Sequence, residues 1–307
     1  MEIGSPRAGY REIWIVWLLF ELATVAVLET YWRLPTAQLW KVSHSGFVGG
    51  IGRAFVFVSF SAALAALAML PILADRLERR SASVLALLAA ILCASVAWPG
   101  VQTENDLDPK WPNGLAVAGV GLTLGLSLWA TLHGRAERPR TTRAGDRARL
   151  VVGGIVLFFA APYIAAELGF FLDGVPLLGW IFQTGAIKPE PGSGQLHAAV
   201  HHGHHHGLDG FLLTVTALLL SRLLGGIRSR SLRVLTGVFL ALMLVYGLTN
   251  MANDLWTEQV VKRGWTSWQI PDVLRPTASA AWAAMLVVAA VFFFAFFRSR
   301  GRMLRAR

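Results

Sequence analysis

Long apolar runs broken by short polar connections organise the chain. Eight of them, at about 12–30, 47–73, 82–100, 114–133, 150–170, 207–225, 232–252 and 277–297, are apolar over nearly their whole length. They show neither the strict alternation of a half-buried strand nor the single stripe of a surface helix. Runs of about 18 residues or more are long enough to cross a hydrocarbon core roughly 30 Å thick. Lipid offers no hydrogen-bonding partner to a bare backbone, so such runs are helical. The pattern predicts an all-α fold: a polytopic membrane helix bundle of about eight transmembrane helices, forming a single integral membrane domain over residues 1–307.

The polar connections set an orientation. Of the 28 Lys and Arg residues, all but Arg33, Lys41, Arg53, Lys110, Lys188, Lys262, Arg263 and Arg275 fall at the two termini or in the connections after runs two, four and six, with their flanks. The alternate connections are poor in basic residues and rich in tryptophan, with Trp32, Trp40, Trp98, Trp111, Trp180, Trp256, Trp265 and Trp268. Basic loops stay in the cytoplasm and tryptophan favours the headgroup level. Both termini are therefore expected to be cytoplasmic. The abundance of Ala and Arg suggests a bacterial cytoplasmic (inner) membrane. Two further connecting segments stand out. Residues 254–269 are expected to form a short surface helix, and 170–182 is apolar but broken by Gly174, Pro176 and Gly179.

Composition agrees with that picture. Only 15% of the 307 residues are charged and mean hydropathy is +0.53, against about 25% charged in a soluble domain. A net charge of +10 would suggest nucleic acid in a soluble protein. Here the basic residues sit in short loops, so the expected partner is the lipid bilayer, with no nucleic acid. The lone cysteine, Cys93, excludes an internal disulfide and a cysteine-based zinc site. Arg7 and Arg11 precede the first apolar run, but that run is long and no small-residue cleavage site follows it, so a retained span is expected rather than a signal peptide.

The candidate chemistry lies just before run six, on the expected extracytoplasmic side. Six of the eight histidines, His197, His201, His202, His204, His205 and His206, lie within ten residues, and Asp209 follows. On a helix, His197, His201 and His205 would form one row, and His202, His206 and Asp209 a second beside it. Imidazole and carboxylate ligands suit zinc, copper or iron without choosing among them. Gly203 and Gly207 allow the segment to bend around an ion instead. The spacings HxxxHH and HxxHH resemble the histidine boxes of membrane fatty-acid desaturases and hydroxylases. The separate boxes of that family are missing outside this tract, so no membership is assigned.

Carboxylates inside a membrane mark functional positions by default. Glu29, Glu167 and His44 are expected as further ligands or proton carriers around the histidines. Arg53 is expected to form a buried ion pair with Glu21, the deepest acid, or with Glu167; the alternative is a proton path through Glu21 and Arg53. No histidine lies mid-span to hold a haem, and neither a P-loop nor a Gly-x-Ser-x-Gly turn is present. Three functions remain open: a membrane metalloenzyme acting on a lipid-soluble or periplasmic substrate, a metal or proton-coupled transporter, and an accessory subunit whose histidines buffer metal. The concentration of polar residues in the outer halves of the runs favours a site at the surface over a through-path.

Overall fold

The structure is a computed structural model that describes residues 9–98, 107–135, 143, 145–203 and 206–298. Among these, eight helices are long and apolar enough to cross a membrane: α1 (Arg11–Arg33), α2 (Gly46–Leu77), α3 (Arg80–Ala97), α4 (Trp111–His133), α5 (Asp146–Glu167), α6 (His206–Gly226), α7 (Arg230–Val261) and α8 (Ala280–Phe297). Each coincides with one of the expected runs, and the all-α bundle is as predicted. The largest difference is at α7, which continues through Val261 and absorbs the first half of the expected surface helix. Residues 266–279 form an irregular loop instead.

Helices α2 and α6 are the centre of the bundle. Their most apolar stretches are 78% buried, against 11% for α8 at the periphery. Helix α2 packs on α1, α3, α4, α6 and α7, and α6 packs most extensively on α7. Close approach of α6 and α7 follows from paired glycines. A Cβ on Gly210 would meet the Gly247 carbonyl oxygen at 2.5 Å, and one on Gly247 would meet the Gly210 oxygen at 2.7 Å. Small residues that let backbones meet are the usual means of packing helices where water supplies no hydrophobic driving force.

The two ends of the bundle differ. At one end, the arginine face, charged residues tie the helices together. The Asp75 carboxylate accepts from the Arg228 and Ser229 backbone amides, at 3.0 and 2.9 Å, and pairs with Arg135 at 3.1 Å. Glu78 pairs with Arg135 and Arg228, both at 2.7 Å. Arg222 pairs with Glu12 at 2.9 Å and with Asp146 at 3.2 Å. At the other end lies a two-stranded antiparallel hairpin, β1 (Ile187–Pro189) and β2 (Leu196–Ala198). This hairpin face also carries the loop between α1 and α2 and the loop after α7.

Helix α6 does not reach the hairpin face. It has 21 residues, whereas α2 and α7 each have 32, a difference of about 16 Å at 1.5 Å per residue. The helices are level at the arginine face, where the segment following α6 caps Asp75. At its other end the Asp209 carboxylate accepts a hydrogen bond from Ser61 of α2. Ser61 lies about 22 Å along α2 from its first residue. The N-terminus of α6 is therefore sunk deep between longer helices, and a cavity lies above it.

Candidate functional site

The histidine tract is not helical. His197 lies in β2, the chain continues as extended and turn backbone through Gly203, at φ +85°, and α6 begins only at His206. The expected rows of histidines on one helix face are therefore replaced by a strand and a turn. Two prolines and two left-handed glycines, Pro189, Pro191, Gly192 and Gly194, close the hairpin, and its pairing draws His197 opposite Lys188. Gly203 packs so closely on the Tyr31 ring that any side chain there would clash. His204 and His205 lie outside the described residues.

The described histidines serve three places. His197 and His201 pack edge to face, with ring centroids 5.0 Å apart, and both rest on Trp40. His201 Nε2 lies 3.2 Å from Glu190, whose carboxylate also pairs with Lys262 Nζ at 2.8 Å. Lys262 is 7% exposed and donates to the Ala199 carbonyl. Burial alone would raise the Glu190 carboxyl, but hydrogen bonds from His201 and Lys262 and the ammonium charge pull it down to about 2. Glu190 is thus ionised throughout the physiological range and clamps the hairpin to the end of α7. His202 stacks on Phe171 at 4.5 Å and donates through Nδ1 to the Ala166 carbonyl at 2.9 Å. Its burial, only partly offset by that carbonyl, lowers its tendency to take up a proton. His206 faces the cavity, 3.7 Å from Asp254 of α7.

The cavity has a volume of ≈ 220 Å³ and lies over the sunken end of α6. Among the described residues, four carboxylates, Glu190, Asp209, Asp254 and Asp272, line it, together with His206, Asn253, Gln269 and one arginine, Arg53. Asp254 accepts from the Gly207 amide at 2.6 Å, satisfying one of the buried donors at the helix start. Arg53 is 5% exposed and stands over the Tyr31 ring, 5.9 Å from its centroid. Glu167, at the end of α5, is buried in the same electrostatic neighbourhood as Arg53, Tyr31 and Asp209. Each long wall carries a π-helical turn at this level, Val58–Ala62 in α2 and Thr257–Val261 in α7. Such turns, which add a residue to the helix, are frequent beside functional sites.

The remaining expected residues lie elsewhere. Glu29 forms an exposed i,i+4 pair with Arg33 at 2.8 Å, and His44 is exposed in the α1–α2 loop. Glu21 faces outward from the middle of α1, while Arg53 is buried. The described residues contain no Glu21–Arg53 ion pair. No group of three or more His, Cys, Asp or Glu side chains among the described residues is already arranged to hold a metal ion. Glu190, Lys262 and Asp272 were not anticipated. Glu190 sits between two prolines in a loop and offered no signal. Comparison with protein families, curated proteins and solved structures gave no match, so function rests on this geometry.

Proposed function

We propose that this integral membrane protein binds a cation in the cavity above α6, that the cation is a transition metal, and that the protein acts as a membrane metalloenzyme on a lipid-soluble or periplasmic substrate. The observation that carries this reading is the convergence of His206 and Asp209 from α6 with Asp254 from α7 on one space, lined among the described residues by four carboxylates and one arginine. So many acids around a confined volume favour a positively charged occupant, and mixed imidazole and carboxylate donors suit zinc, iron or copper. Arg53 and Glu190 would orient an anionic group of the substrate and hold the hairpin over the space. The rule that basic loops stay inside supports a hairpin face outside the cell, and the abundance of Ala and Arg supports a bacterial inner membrane.

A transport path is less well supported. Below Asp209 the walls of α2 and α6 are apolar apart from short hydroxyl side chains, and charge pairs knit the arginine face closed. A path needs polar groups at successive depths.

Metal content tests the proposal. The full chain, purified with no polyhistidine tag, is expected to carry stoichiometric metal by elemental analysis, and Asp254→Asn and His206→Ala are expected to lose at least 90% of it. Wild-type protein that stays metal-poor after growth with added zinc, iron and copper would end this reading.

A further inference from the structure

A second space lies beside the first and has the opposite character. It is an apolar groove of ≈ 330 Å³ between α5 and α7, walled by Phe159, Phe182, Ala252, Leu255 and Val260. Its volume lies within the range of small-molecule sites, roughly 300–1,000 Å³. Arg263 and Trp265 also line it, with the guanidinium 5.1 Å from the Trp265 ring centroid. Arg263 donates through Nη2 to the Ile181 carbonyl at 2.7 Å, and its Nε is buried without a hydrogen-bond partner among the described residues. Around it Leu177, Trp180, Trp265 and Trp268 are 78%, 86%, 69% and 59% exposed, a belt of the kind that sits at the headgroup level. Ile270 is a wall of both the groove and the polar cavity.

We infer that this groove is a phospholipid site: one acyl chain lies between α5 and α7, and the phosphate meets Arg263 at the rim. The occupant follows from the surroundings. The groove belongs to two membrane-spanning helices, so hydrocarbon chains are the molecules that meet it. An arginine at the tryptophan level that spends one N–H on the Ile181 carbonyl supplies what a phosphate needs, since guanidinium binds phosphate oxygens through several directed N–H groups. The site is independent of any ion in the cavity. Through Ile270 it places a lipid next to that cavity.

Native mass spectrometry of the delipidated full chain in detergent tests this. The probes are dioleoyl phosphatidylglycerol and dioleoylglycerol, which share chains and differ in the phosphate. Wild type is expected to retain one phosphatidylglycerol per chain, at least tenfold more tightly than dioleoylglycerol. Ala252→Trp fills the groove and is expected to weaken retention of both lipids at least tenfold. Arg263→Gln is expected to abolish the preference for the phosphate while leaving the chain-binding step. Thermal unfolding of each variant shows whether it is folded, and its metal content separates loss of this site from loss of the cavity. Wild-type retention of the two lipids in equal measure, or a folded Ala252→Trp that binds phosphatidylglycerol like wild type, would overturn the inference.

Discussion

Single side chains fix the roof of the cavity, and the contact between Glu190 and Lys262 carries most of that load. Lys262 has lost almost all contact with water, and its charge is compensated by one carboxylate and one carbonyl. Removing one partner of a buried pair costs about 3–5 kcal/mol, because the other is left uncompensated. Glu190→Gln is therefore expected to lower the unfolding midpoint in detergent by several degrees. The double variant Glu190→Gln/Lys262→Met is expected to recover a good part of that loss, and a double variant no more stable than the single one would show the pair to be unimportant. Two groups here also make stability depend on pH. His202 has a folded pKa below its ordinary 6.5, so the unfolded chain takes up the proton first. Its contribution is complete above 6.5, starts to be lost as pH falls below that value and is gone below the folded pKa. Glu190 has an ordinary value of 4.5 and a folded value of about 2. Its contribution is complete above 4.5 and is lost between 4.5 and about 2. Unfolding midpoints measured from pH 8 to pH 5 are expected to fall, and His202→Gln is expected to flatten that fall. Neither Glu190 nor the His202 contact to Ala166 was legible in the sequence. Both depend on a hairpin whose partners lie far away along the chain.

At the scale of elements, the sunken start of α6 depends on the crossing of α6 over α7. Gly210 and Gly247 let the two backbones touch, and even a methyl group on either would press within 3 Å of the opposing main chain. Gly247→Ala is expected to destabilise the protein by about 1–3 kcal/mol through overpacking. Gly121→Ala, at a position of α4 with open space around it, is expected to be neutral or slightly stabilising. Equal midpoints for the two variants would mean that the crossing is not tightly packed. The helices themselves were legible because uniform apolarity over a bilayer's width has one structural solution. The end of the histidine tract was not. Helical spacing suggested rows of ligands, yet Pro189, Pro191 and the left-handed glycines committed the segment to a hairpin, and strand pairing with Lys188 then set where His197 faces. Apolar pattern also shows where a span runs, not how deep its end sits. The depth of Asp209 follows from α6 having fewer residues than its neighbours while sharing their level at the arginine face.

For the whole molecule, the source of any ion or substrate turns on which side of the membrane the cavity opens. A bundle whose arginine face is cross-linked by Asp75, Glu78, Glu12 and Asp146 opens its acid-lined cavity at the hairpin face. In the orientation proposed above, that face lies outside the cell. Single cysteines test this directly, because the native Cys93 is fully buried and stays silent to polar reagents. Ser193→Cys, in the exposed turn of the hairpin, is expected to react with a membrane-impermeant maleimide in intact cells. Arg230→Cys, exposed at the opposite end of α7, is expected to react only after the cells are permeabilised. The reverse pattern would turn the protein over. The cavity would then face the cytoplasm, any ion in it would come from the cytoplasmic pool, and a periplasmic substrate would be excluded while a lipid-soluble one would not. Labelling of both positions in intact cells would instead mean that the charge pairs at the arginine face do not seal the bundle, which would restore a transport path.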